Sequence, residues 1–547
     1  MKKHRARPRL LALAIAAALP ASALAEPAVD AEPRGERARE RLRERSLERV
    51  EVEASARAPF QSDESTTGLK SPAPLRDVPQ AVTVVPAAVI ETQAATSLSE
   101  ALRNVAGLTL ASGEGGFTGD SIALRGFAAR TDQYLDGVRD NGQYVRDTFN
   151  VERVEVLKGA SSMLFGRGGT GGIVNSIAKK PSGSPLRLVT AMAGSESLGR
   201  ITADVDQPLD ERVGVRINAL YQDSDSFRDT VYARRRGLAP SARFEVSGQT
   251  TIDAGAYALE HDGVLDYGIP MNTATGEPAA VGFDHHYGAG RQSIYRVDVA
   301  EARVRVEHEF GSGAIFRNTS VVGDYDRLYR VVRPNAINDA TPDADTRVTR
   351  NHILRGGDQR NAFNVTDLLF DLETGDVRHE LYAGLELARE DFSTRDRAGL
   401  PALPSVPLFD PGSVVLGPLP DSLDGAPLSA DNAVDTDTRA LSLQDRMLLG
   451  GGWSVIAGLR HERFDATLTN RLTGATLARD DRMTSWRAGG VFQPDDAQSY
   501  YALASTSQNP SAETFTLSAA TAAIDPERSR NYEVGAKLTP FGERLAL

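Results

Sequence analysis

The stretch "VEVLKGASSMLFGRGGTGGIVNSIAKKP" (residues 154–181) decides how this chain folds, and it contains a G-x-G-x-x-G pattern from Gly166 to Gly171. In a dinucleotide-binding turn such glycines open a helix whose N-terminus receives the pyrophosphate. Here "GIVNSIA" follows the glycines, and Pro181 and Pro185 come soon after, so no helix of useful length fits. The Lys-Ser or Lys-Thr pair of a phosphate loop is also missing. The sequence argues against a nucleotide site, and the glycines need another explanation.

The N-terminus has the three parts of a secretory signal. A basic stretch (residues 2–9) precedes an apolar run (10–19) and a small-residue site that ends at Ala25. This pattern predicts a signal peptide over residues 1–25, cleaved before Glu26. The alternative is a membrane anchor, but the apolar run is too short to cross a bilayer as a helix.

Composition narrows the class of protein further. Beyond the signal, the sequence has no apolar run of about 18 residues, which excludes membrane-spanning helices. The 547 residues include no cysteine, which excludes thiol chemistry and cysteine metal sites. The net charge of -12 argues against a nucleic-acid partner. An exported chain of this kind is periplasmic, secreted or an outer-membrane β-barrel.

The exported part begins with a polar leader and a compact α+β unit. Residues 26–70 are rich in Arg, Glu, Pro and Ser and are expected to be a flexible leader, within which "RVEVE" (49–53) alternates. The sequence pattern of residues 71–183 predicts a small domain. Its predicted elements are a strand in "AVTVVP", a helix in "SLSEALRNVAG" capped by Ser97 and ended by Gly107, and short strands in "SIALRGF", "DQYLDGV" and "VERVEVLKG".

The remaining residues, 184–547, alternate between apolar and polar side chains. In "VGVRINALY" (213–221), Val215 and Ile217 share one face, while Arg216 and Asn218 share the other. Such segments, joined by alternating short turns and long loops, are typical of transmembrane β-strands with a wet lumen. A soluble β-sandwich or propeller is the alternative, and an aromatic content of only 6% is low for two interfacial girdles.

The compact unit resembles the plug of TonB-dependent siderophore receptors of the outer membrane. The matching segments are "PLRDVPQAVTVVP" (74–86), "SLSEALRNVAGLTL" (97–110), "IALRGFAARTDQYLDGVRD" (122–140) and "FNVERVEVLKGASSMLFGRGGTGGIVN" (149–175). "ARTD" and "GVRDNGQYVRDTFNVE" are most similar to the branch that imports catecholate siderophores. One departure is Ala160, where the family usually has proline.

The resemblance implies an N-terminal α+β plug inside an antiparallel β-barrel. Residues 186–547 provide for roughly fifteen strands, against about 22 in plugged transporters. The sequence therefore predicts a chain whose barrel is incomplete at the C-terminus. The resemblance also explains the glycines: they are positions of tight turns and close backbone approach inside the lumen. The plug glycines meant here are Gly126, Gly159, Gly166, Gly168, Gly171 and Gly172.

The resemblance also implies the energy source. The family's uptake is driven by TonB, energised by ExbB and ExbD, which pairs with a short extended strand ahead of the plug. The segment that stands at this place is the predicted TonB box: Arg49, Val50, Glu51, Val52 and Glu53. The leader is too short for an additional signalling domain, and a monomer in outer-membrane lipid is expected.

The implied ligand is a ferric siderophore, which holds its own iron, so no cofactor and no metal ligands of the protein are expected. A catecholate complex is anionic, flat and aromatic, which requires cationic and aromatic side chains. The candidates on turns between plug strands are Arg130, Tyr144 and Arg146. The alternatives are uptake of another solute (haem, cobalamin or a glycan) and a non-transporting outer-membrane binding protein; none of them is an enzyme.

Overall fold

The structure is a computed structural model that describes residues 60–110, 119–510, 520 and 522–540. The predicted signal peptide, most of the leader and the predicted TonB box (49–53) lie outside the described residues. Among the residues that are described, no helix is both long and apolar enough to cross a membrane.

The N-terminal unit is a small α+β domain, here called the plug. Its helices are α1 (Ala87–Thr92), α2 (Leu98–Leu102) and α3 (Ser162–Phe165). Its strands are β1 (Glu64–Ser65), β2 (Ala73–Pro74), β3 (Val82–Pro86), β4 (Leu108–Leu110), β5 (Ile122–Leu124), β6 (Phe127–Ala128), β7 (Gln133–Leu135), β8 (Val138–Arg139), β9 (Val151–Lys158) and β10 (Gly172–Ala178).

The plug is built around a five-stranded sheet in the order β3-β9-β10-β7-β8, beside a three-stranded sheet β4-β5-β6. β9 and β10 lie next to each other near the centre of this sheet, and their residues Val154, Val156 and Val174 are 0% exposed. Helices α1 and α2 cover one face of these strands through Ile90 and Leu102. The strand β10 directly follows the G-x-G-x-x-G glycines, so these glycines open no helix, as the sequence predicts.

The length of helix α2 in the plug differs from the sequence prediction. Helix α2 is capped by the Ser97 side chain, which accepts from the Glu100 N–H at 3.3 Å, but it ends at Leu102 and does not continue to Gly107. The residues after Leu102 form turns, because Arg103 and Val105 bond to carbonyls three residues back.

Residues 60–70, which the sequence assigns to the flexible leader, are ordered against the plug. The Glu155 carboxylate of β9 is fully buried, and Oε2 accepts from the backbone N–H groups of Thr66 and Thr67 at 3.0 Å each. The hydroxyls of Ser65 and Thr67 donate to the same oxygen at 2.5 and 2.6 Å. One buried carboxylate therefore fastens the start of the described chain to the central sheet.

The second unit begins at Leu186, eight residues beyond the last plug strand. Its strands are β11 (Leu186–Ala193), β12 (Gly199–Pro208), β13 (Val213–Asp225), β14 (Tyr232–Ser247), β15 (Thr250–Gly263), β16 (Met271–Asn272), β17 (Glu277–Pro278), β18 (Tyr295–Glu309), β19 (Ile315–Pro334), β20 (Arg347–Val348), β21 (Arg350–Thr374), β22 (Val377–Arg397), β23 (Val406–Pro407), β24 (Leu428–Gly450), β25 (Trp453–Asn470), β26 (Thr476–Asp495), β27 (Gln498–Asn509) and β28 (Glu527–Leu538).

Fourteen of these strands form one antiparallel sheet in chain order from β11 to β28, whereas β16, β17, β20 and β23 are short strands within loops. The sequence spacing predicts roughly fifteen strands for this region, close to the fourteen in the sheet. One end of the sheet has short turns, such as residues 248–249 and 375–376; the other has long loops over 264–294, 335–349 and 398–427. We call these the turn end and the loop end.

The sheet is polar inside and apolar outside. In β13, Ile217 and Tyr221 are 45% and 48% exposed, whereas the intervening Asn218 is 1% exposed. In β24, Leu441 and Leu443 also point outward and are 63% and 64% exposed. A soluble sandwich would bury these apolar side chains, so the alternation is that of a membrane barrel with a filled lumen. The predicted fold class, a plug inside an antiparallel β-barrel, is confirmed.

The three long loops share a small apolar core of their own. Tyr287, Val348 and Val406 are each no more than 1% exposed and pack together, one from each loop. The Tyr287 hydroxyl donates to the Leu408 carbonyl at 2.6 Å, and β20 pairs with β23. The loops at this end are therefore docked on one another above the plug.

We expect the docking of these loops to weaken on acidification, because His286 is buried there as the neutral base. Burial lowers its pKa; Asp266 and Asp229 oppose this, while Arg228 and Arg350 reinforce it. Loop opening lets the imidazole return to an ordinary pKa of about 6.5, so docking is fully stable above that pH and loses stability as the pH falls below it.

Amide protection factors of residues 264–294, corrected for the intrinsic effect of pH on exchange, measure this docking. The His286 Nδ1 lies 2.9 Å from the Thr230 hydroxyl. His286→Asn keeps a polar group for that contact and removes the titration. In this variant the amide protection of residues 264–294 should not vary between pH 7.5 and 5.5. An equal loss of protection in the variant would assign the effect to other groups.

Candidate ligand site above the plug

The plug presents the loop 140–147 to the loop end of the barrel, and Arg146 organises this loop from within. Its Nε donates to the Asp140 carboxylate at 2.8 Å, and its Nη2 donates to the carbonyls of Asp140 and Gly142 at 2.7 and 3.1 Å. A second carboxylate, Asp120, accepts from the Arg146 backbone N–H at 2.8 Å. Only 9% of Arg146 is exposed, so this side chain holds the loop in shape.

Tyr144 lies in the same loop and joins the plug to the barrel wall. Its hydroxyl donates to Asp140 at 2.8 Å, and its ring centroid lies 5.8 Å from that of Tyr325 and 6.5 Å from that of Tyr257. The Arg146 guanidinium stacks over the Tyr144 ring at 4.4 Å. Burial raises the pKa of the Tyr144 phenol well above its usual value, so the hydroxyl remains a neutral donor.

The barrel wall beside this loop carries a cluster of inward-facing side chains that we call the wall patch. Its members are His261, Tyr295, Arg327, Tyr329 and Phe392, each between 3% and 8% exposed. Strand register brings them together from β15, β18, β19 and β22: Tyr295 pairs with Tyr329, and Val297 lies between His261 and Arg327 in one cross-strand row. They lie together only because these strands pair in this register.

Arg327 is the unusual member of the wall patch. Its guanidinium lies over two rings, 5.1 Å from the Phe392 centroid and 5.9 Å from the Tyr329 centroid. Within the described ranges, its Nη1 has no hydrogen-bond partner. Its strongest ionisable neighbours are Tyr329, Arg130, Tyr295 and Arg355, none of them a carboxylate. A buried guanidinium without an anion is costly, which makes this a place suited to an anionic group from outside the chain.

Two other buried polar atoms of the wall patch have no hydrogen-bond partner among the described residues: the Tyr295 hydroxyl and His261 Nδ1. The His261 and Tyr295 rings meet edge to face, with centroids 4.9 Å apart. Polar atoms left unsatisfied on one patch are unusual in a folded protein and call for an explanation such as a bound ligand. The patch therefore combines cationic charge, aromatic surface and unused hydrogen-bonding capacity.

The three sequence-predicted site residues occupy different places around this patch. Arg130 is half-buried and lies near enough for its charge to act on Arg327. Tyr144 and Arg146 are buried in the loop beneath and bond to plug carboxylates. Sequence reasoning missed Arg327 and its neighbours, although "YDRLY" (325–329) places two tyrosines on the same strand face as Arg327.

The plug glycines mark tight turns and close approaches. Positive φ angles occur at Gly126, Gly159, Gly166, Gly168 and Gly172. At Gly166 (φ 83°), a Cβ would lie 2.7 Å from Arg460 Nη2 on the barrel wall, and at Gly171 a Cβ would overlap the Leu124 carbonyl oxygen. A side chain at either position would push the plug from the wall or split its own sheets. The described residues hold no group of three or more His, Asp or Glu placed to bind a metal.

Comparisons with known proteins agree with this architecture. Residues 74–173 match the model of the TonB-dependent receptor plug domain, and residues 209–547 match the model of the TonB dependent receptor-like β-barrel. The chain is 32% identical over 562 residues to the probable TonB-dependent receptor BfrD of Bordetella pertussis, covering 96% of this chain and 74% of that protein.

Two further likenesses concern one receptor of Escherichia coli K12. The chain is 28% identical over 548 residues to the catecholate siderophore receptor Fiu, covering 91% of this chain and 71% of that one. The crystal structure of the closed form of this ferric-catecholate import receptor superposes with a TM-score of 0.79 at 25% identity, covering 89% of this chain and 74% of that chain. Plug, barrel and matches lead to one conclusion: this chain belongs to the TonB-dependent receptors, a family of transport receptors in the outer membrane.

Proposed function

We propose that this receptor binds ferric siderophores of the catecholate type at the wall patch and imports them, with the plug gating the barrel lumen. The observation that carries this proposal is Arg327, a buried guanidinium that lies over two aromatic rings and has no carboxylate partner among the residues that the structure describes. In an outer-membrane barrel the loop end faces the outside of the cell, so the patch faces incoming ligand.

The chemistry of the patch suits an anionic aromatic chelate. One charge pair about 5 Å apart contributes roughly 3 kcal/mol at an effective dielectric near 20, before desolvation. Arg327 and Arg130 together supply two such charges, while Tyr329 and Phe392 offer flat surfaces for catechol rings. The guanidinium group also stacks on planar rings, which an ammonium does poorly. The relative Fiu, whose name assigns it a catecholate siderophore, supports the same ligand class.

Within this proposal the three plug residues have two roles. Arg130 is a direct contact, because it is half-buried and its charge reaches Arg327. Tyr144 and Arg146 form the floor of the site and keep the loop 140–147 in position through Asp140. A ligand bound at this floor is then in contact with the plug itself. The iron stays within the siderophore, and the protein needs no cofactor of its own.

Energy for uptake is proposed to come from TonB, itself driven by ExbB and ExbD. The contact is the alternating segment 49–53, whose backbone would add a strand to a sheet of the partner. The described chain begins shortly after this segment, and Ser65 of its first strand is bonded to the buried Glu155. A pull on the leader would therefore act on the central plug sheet.

Uptake of radioactive iron by iron-starved cells tests the proposed function. Cells that produce this receptor should accumulate iron from a ferric tris-catecholate, and cells from which its gene is deleted should not. Collapse of the proton gradient should stop accumulation. Accumulation of haem or cobalamin in place of the catecholate would indicate another solute, and ligand binding without any accumulation would indicate a non-transporting binding protein.

A further inference from the structure

Three arginines lie directly opposite one another on the outer face of the barrel. Strand register pairs Arg439 of β24 with Arg463 of β25, and Arg463 with Arg482 of β26. All three side chains are exposed, and alternation along β24 places Arg439 on the same outward face as Leu441. We call these three residues the arginine row. Like charges directly opposite each other destabilise paired strands, so the row needs a counter-charge.

The chain supplies part of this counter-charge, at one end of the row. Asp480 lies 2.9 Å from Nη2 of Arg463 and 4.0 Å from Nε of Arg482. Asp465 lies 3.2 Å from the same Nη2 of Arg463. These two carboxylates occupy the next outward positions toward the loop end, where register pairs them with each other. They therefore hold the Arg463 side chain in place and leave the other end of the row to be explained.

Arg439 is the member of the row that lacks a partner. It forms no ion pair or hydrogen bond in the part of the chain that the structure describes. Asp437, the next outward residue of β24, is paired in register with Arg389, and the residue opposite Arg439 on β22 is Leu387. An anion from outside the chain can therefore bind Arg439 and Arg463 together without displacing a carboxylate from Arg439.

The arginine row lies at the outer border of the apolar band. At the turn end, Trp453 of β25 stacks on Phe492 with ring centroids 4.5 Å apart, and aromatic residues of this kind mark a membrane interface. Arg463 follows Trp453 by ten residues on the same strand. At about 3.3 Å per residue and a tilt of about 40°, this is roughly 25 Å of height, which is the height of the lipid-facing band of a barrel. The arginines therefore meet the headgroups of the outer leaflet.

The outward positions between the arginine row and the membrane centre change from polar to apolar. One step below the row, His461 is paired with Thr484, and its Nδ1 lies 2.9 Å from the Thr484 hydroxyl. In the next step, register aligns Leu443, Leu459 and Trp486, and all three are exposed. A molecule bound at this surface thus meets cations, then hydrogen-bonding groups, then an apolar surface. This is the order of groups in a lipid from its phosphate to its acyl chains.

We propose that the arginine row binds the phosphate of a glycolipid in the outer leaflet. The phosphate lies against Arg439 and Arg463, His461 and Thr484 hydrogen-bond to the sugar, and the acyl chains cover the apolar step below them. A guanidinium matches the geometry of phosphate oxygens and binds them with two hydrogen bonds. The phosphate also supplies the counter-charge that the row lacks. The site lies outside the barrel wall and does not depend on which ligand enters the lumen.

Other outward arginines provide a matched comparison, because each of them lies opposite a carboxylate. The register pairs are Arg236 with Glu260, Arg296 with Asp262, and Arg360 with Asp324. The shortest distances between the charged groups in these pairs are 3.9, 3.6 and 3.1 Å. Their side chains are at least as exposed as that of Arg463. We call these three residues the balanced arginines, since no counter-charge is missing there.

Native mass spectrometry of the purified full-length receptor in detergent, titrated with diphosphoryl lipid A, tests the proposal. Replacement of the whole arginine row by glutamine (Arg439→Gln, Arg463→Gln, Arg482→Gln) should weaken lipid A binding at least about tenfold, the loss expected for a hydrogen bond to a charged group. Replacement of the three balanced arginines by glutamine removes the same charge and should leave the affinity unchanged. Equal weakening by both sets of substitutions, or none by the first, would overturn the site.

The headgroup requirement is tested with three further probes. Dephosphorylated lipid A and phosphatidylglycerol should each bind the wild type at least about tenfold more weakly than diphosphoryl lipid A, and an excess of inorganic phosphate should not displace the lipid. Tight binding of the dephosphorylated lipid would overturn recognition of the phosphate, and tight binding of phosphatidylglycerol would overturn recognition of the sugar. Displacement by inorganic phosphate would show an anion site that needs no lipid.

Arg439→Gln alone separates lipid binding from folding. Because this substitution relieves the repulsion within the row and breaks no ion pair, its unfolding temperature in lipid-free detergent should equal or exceed that of the wild type. Its affinity for diphosphoryl lipid A should nevertheless fall severalfold. A lower unfolding temperature would give Arg439 a structural role, and an unchanged affinity would remove it from the site; either result contradicts the proposal.

Discussion

Replacement of Arg327 by alanine is expected to raise the dissociation constant for a ferric catecholate about 10- to 100-fold. Hydrogen bonds to charged groups contribute about 1.5–3 kcal/mol, and each 1.4 kcal/mol is about tenfold in affinity. The buried guanidinium has no carboxylate among its strongest neighbours, so its removal leaves no unpaired acid and should not harm folding. Fluorescence quenching of the purified receptor measures the effect.

Three variants control this prediction. Arg327→Lys should recover only part of the affinity, because lysine keeps the charge but loses the planar surface. Arg360→Ala removes an arginine from the neighbouring strand whose side chain is 69% exposed on the outer face, and it should change nothing. Arg146→Ala should weaken the binding of every ligand, because the loop 140–147 loses its central contacts. An Arg327→Ala receptor that binds the catecholate like the wild type would remove the wall patch from the site.

Replacement of Val52 by proline is expected to reduce uptake to the level of cells without the receptor, while ligand binding stays intact. Pairing with TonB would use the backbone of residues 49–53, and proline removes one N–H donor from that ladder. The predicted box is far in sequence from Arg327 and precedes the first described residue. Initial rates of iron accumulation and dissociation constants, measured on the same variant, separate the two effects.

Val52→Ala is the matched control, because it changes the side chain but keeps the backbone donor. It should transport at nearly the wild-type rate, since strand addition reads the backbone more than the side chains. Uptake by Val52→Pro at the wild-type rate would contradict the assignment of the TonB box to this segment. A loss of binding in the same variant would mean that the substitution disturbs the plug.

The sequence was sufficient for the architecture because its period-two alternation is a local property. Ile217 and Asn218 show which face of β13 meets lipid, and the structure confirms it. The strand β9 of the plug and the absence of a helix after Gly171 are equally local properties. Helix α2 ends earlier than Gly107 because packing and turns after Leu102, rather than propensity, decide its length.

The wall patch could not be predicted from the sequence in the same way. Alternation places Tyr329 and Arg327 on one face of β19, but it does not reveal that His261 and Tyr295 are their neighbours across two other strands. That proximity depends on the register in which β15 and β18 pair, and the long loop 264–294 separates these strands in the sequence. Likewise, the sequence singles out Arg146 as a cation but does not show that Asp120 and Asp140 already neutralise it.

The most direct test of the central claim is a binding titration of the purified receptor with two ferric chelates of opposite character. One is an anionic tris-catecholate complex and the other a neutral tris-hydroxamate complex, each measured with the wild-type receptor and Arg327→Ala. We expect the wild type to bind the catecholate at least about 100-fold more tightly, a preference of roughly 2.7 kcal/mol, and the variant to lose most of it. Equal affinity for the two chelates, or a preference that survives in Arg327→Ala, would contradict the account.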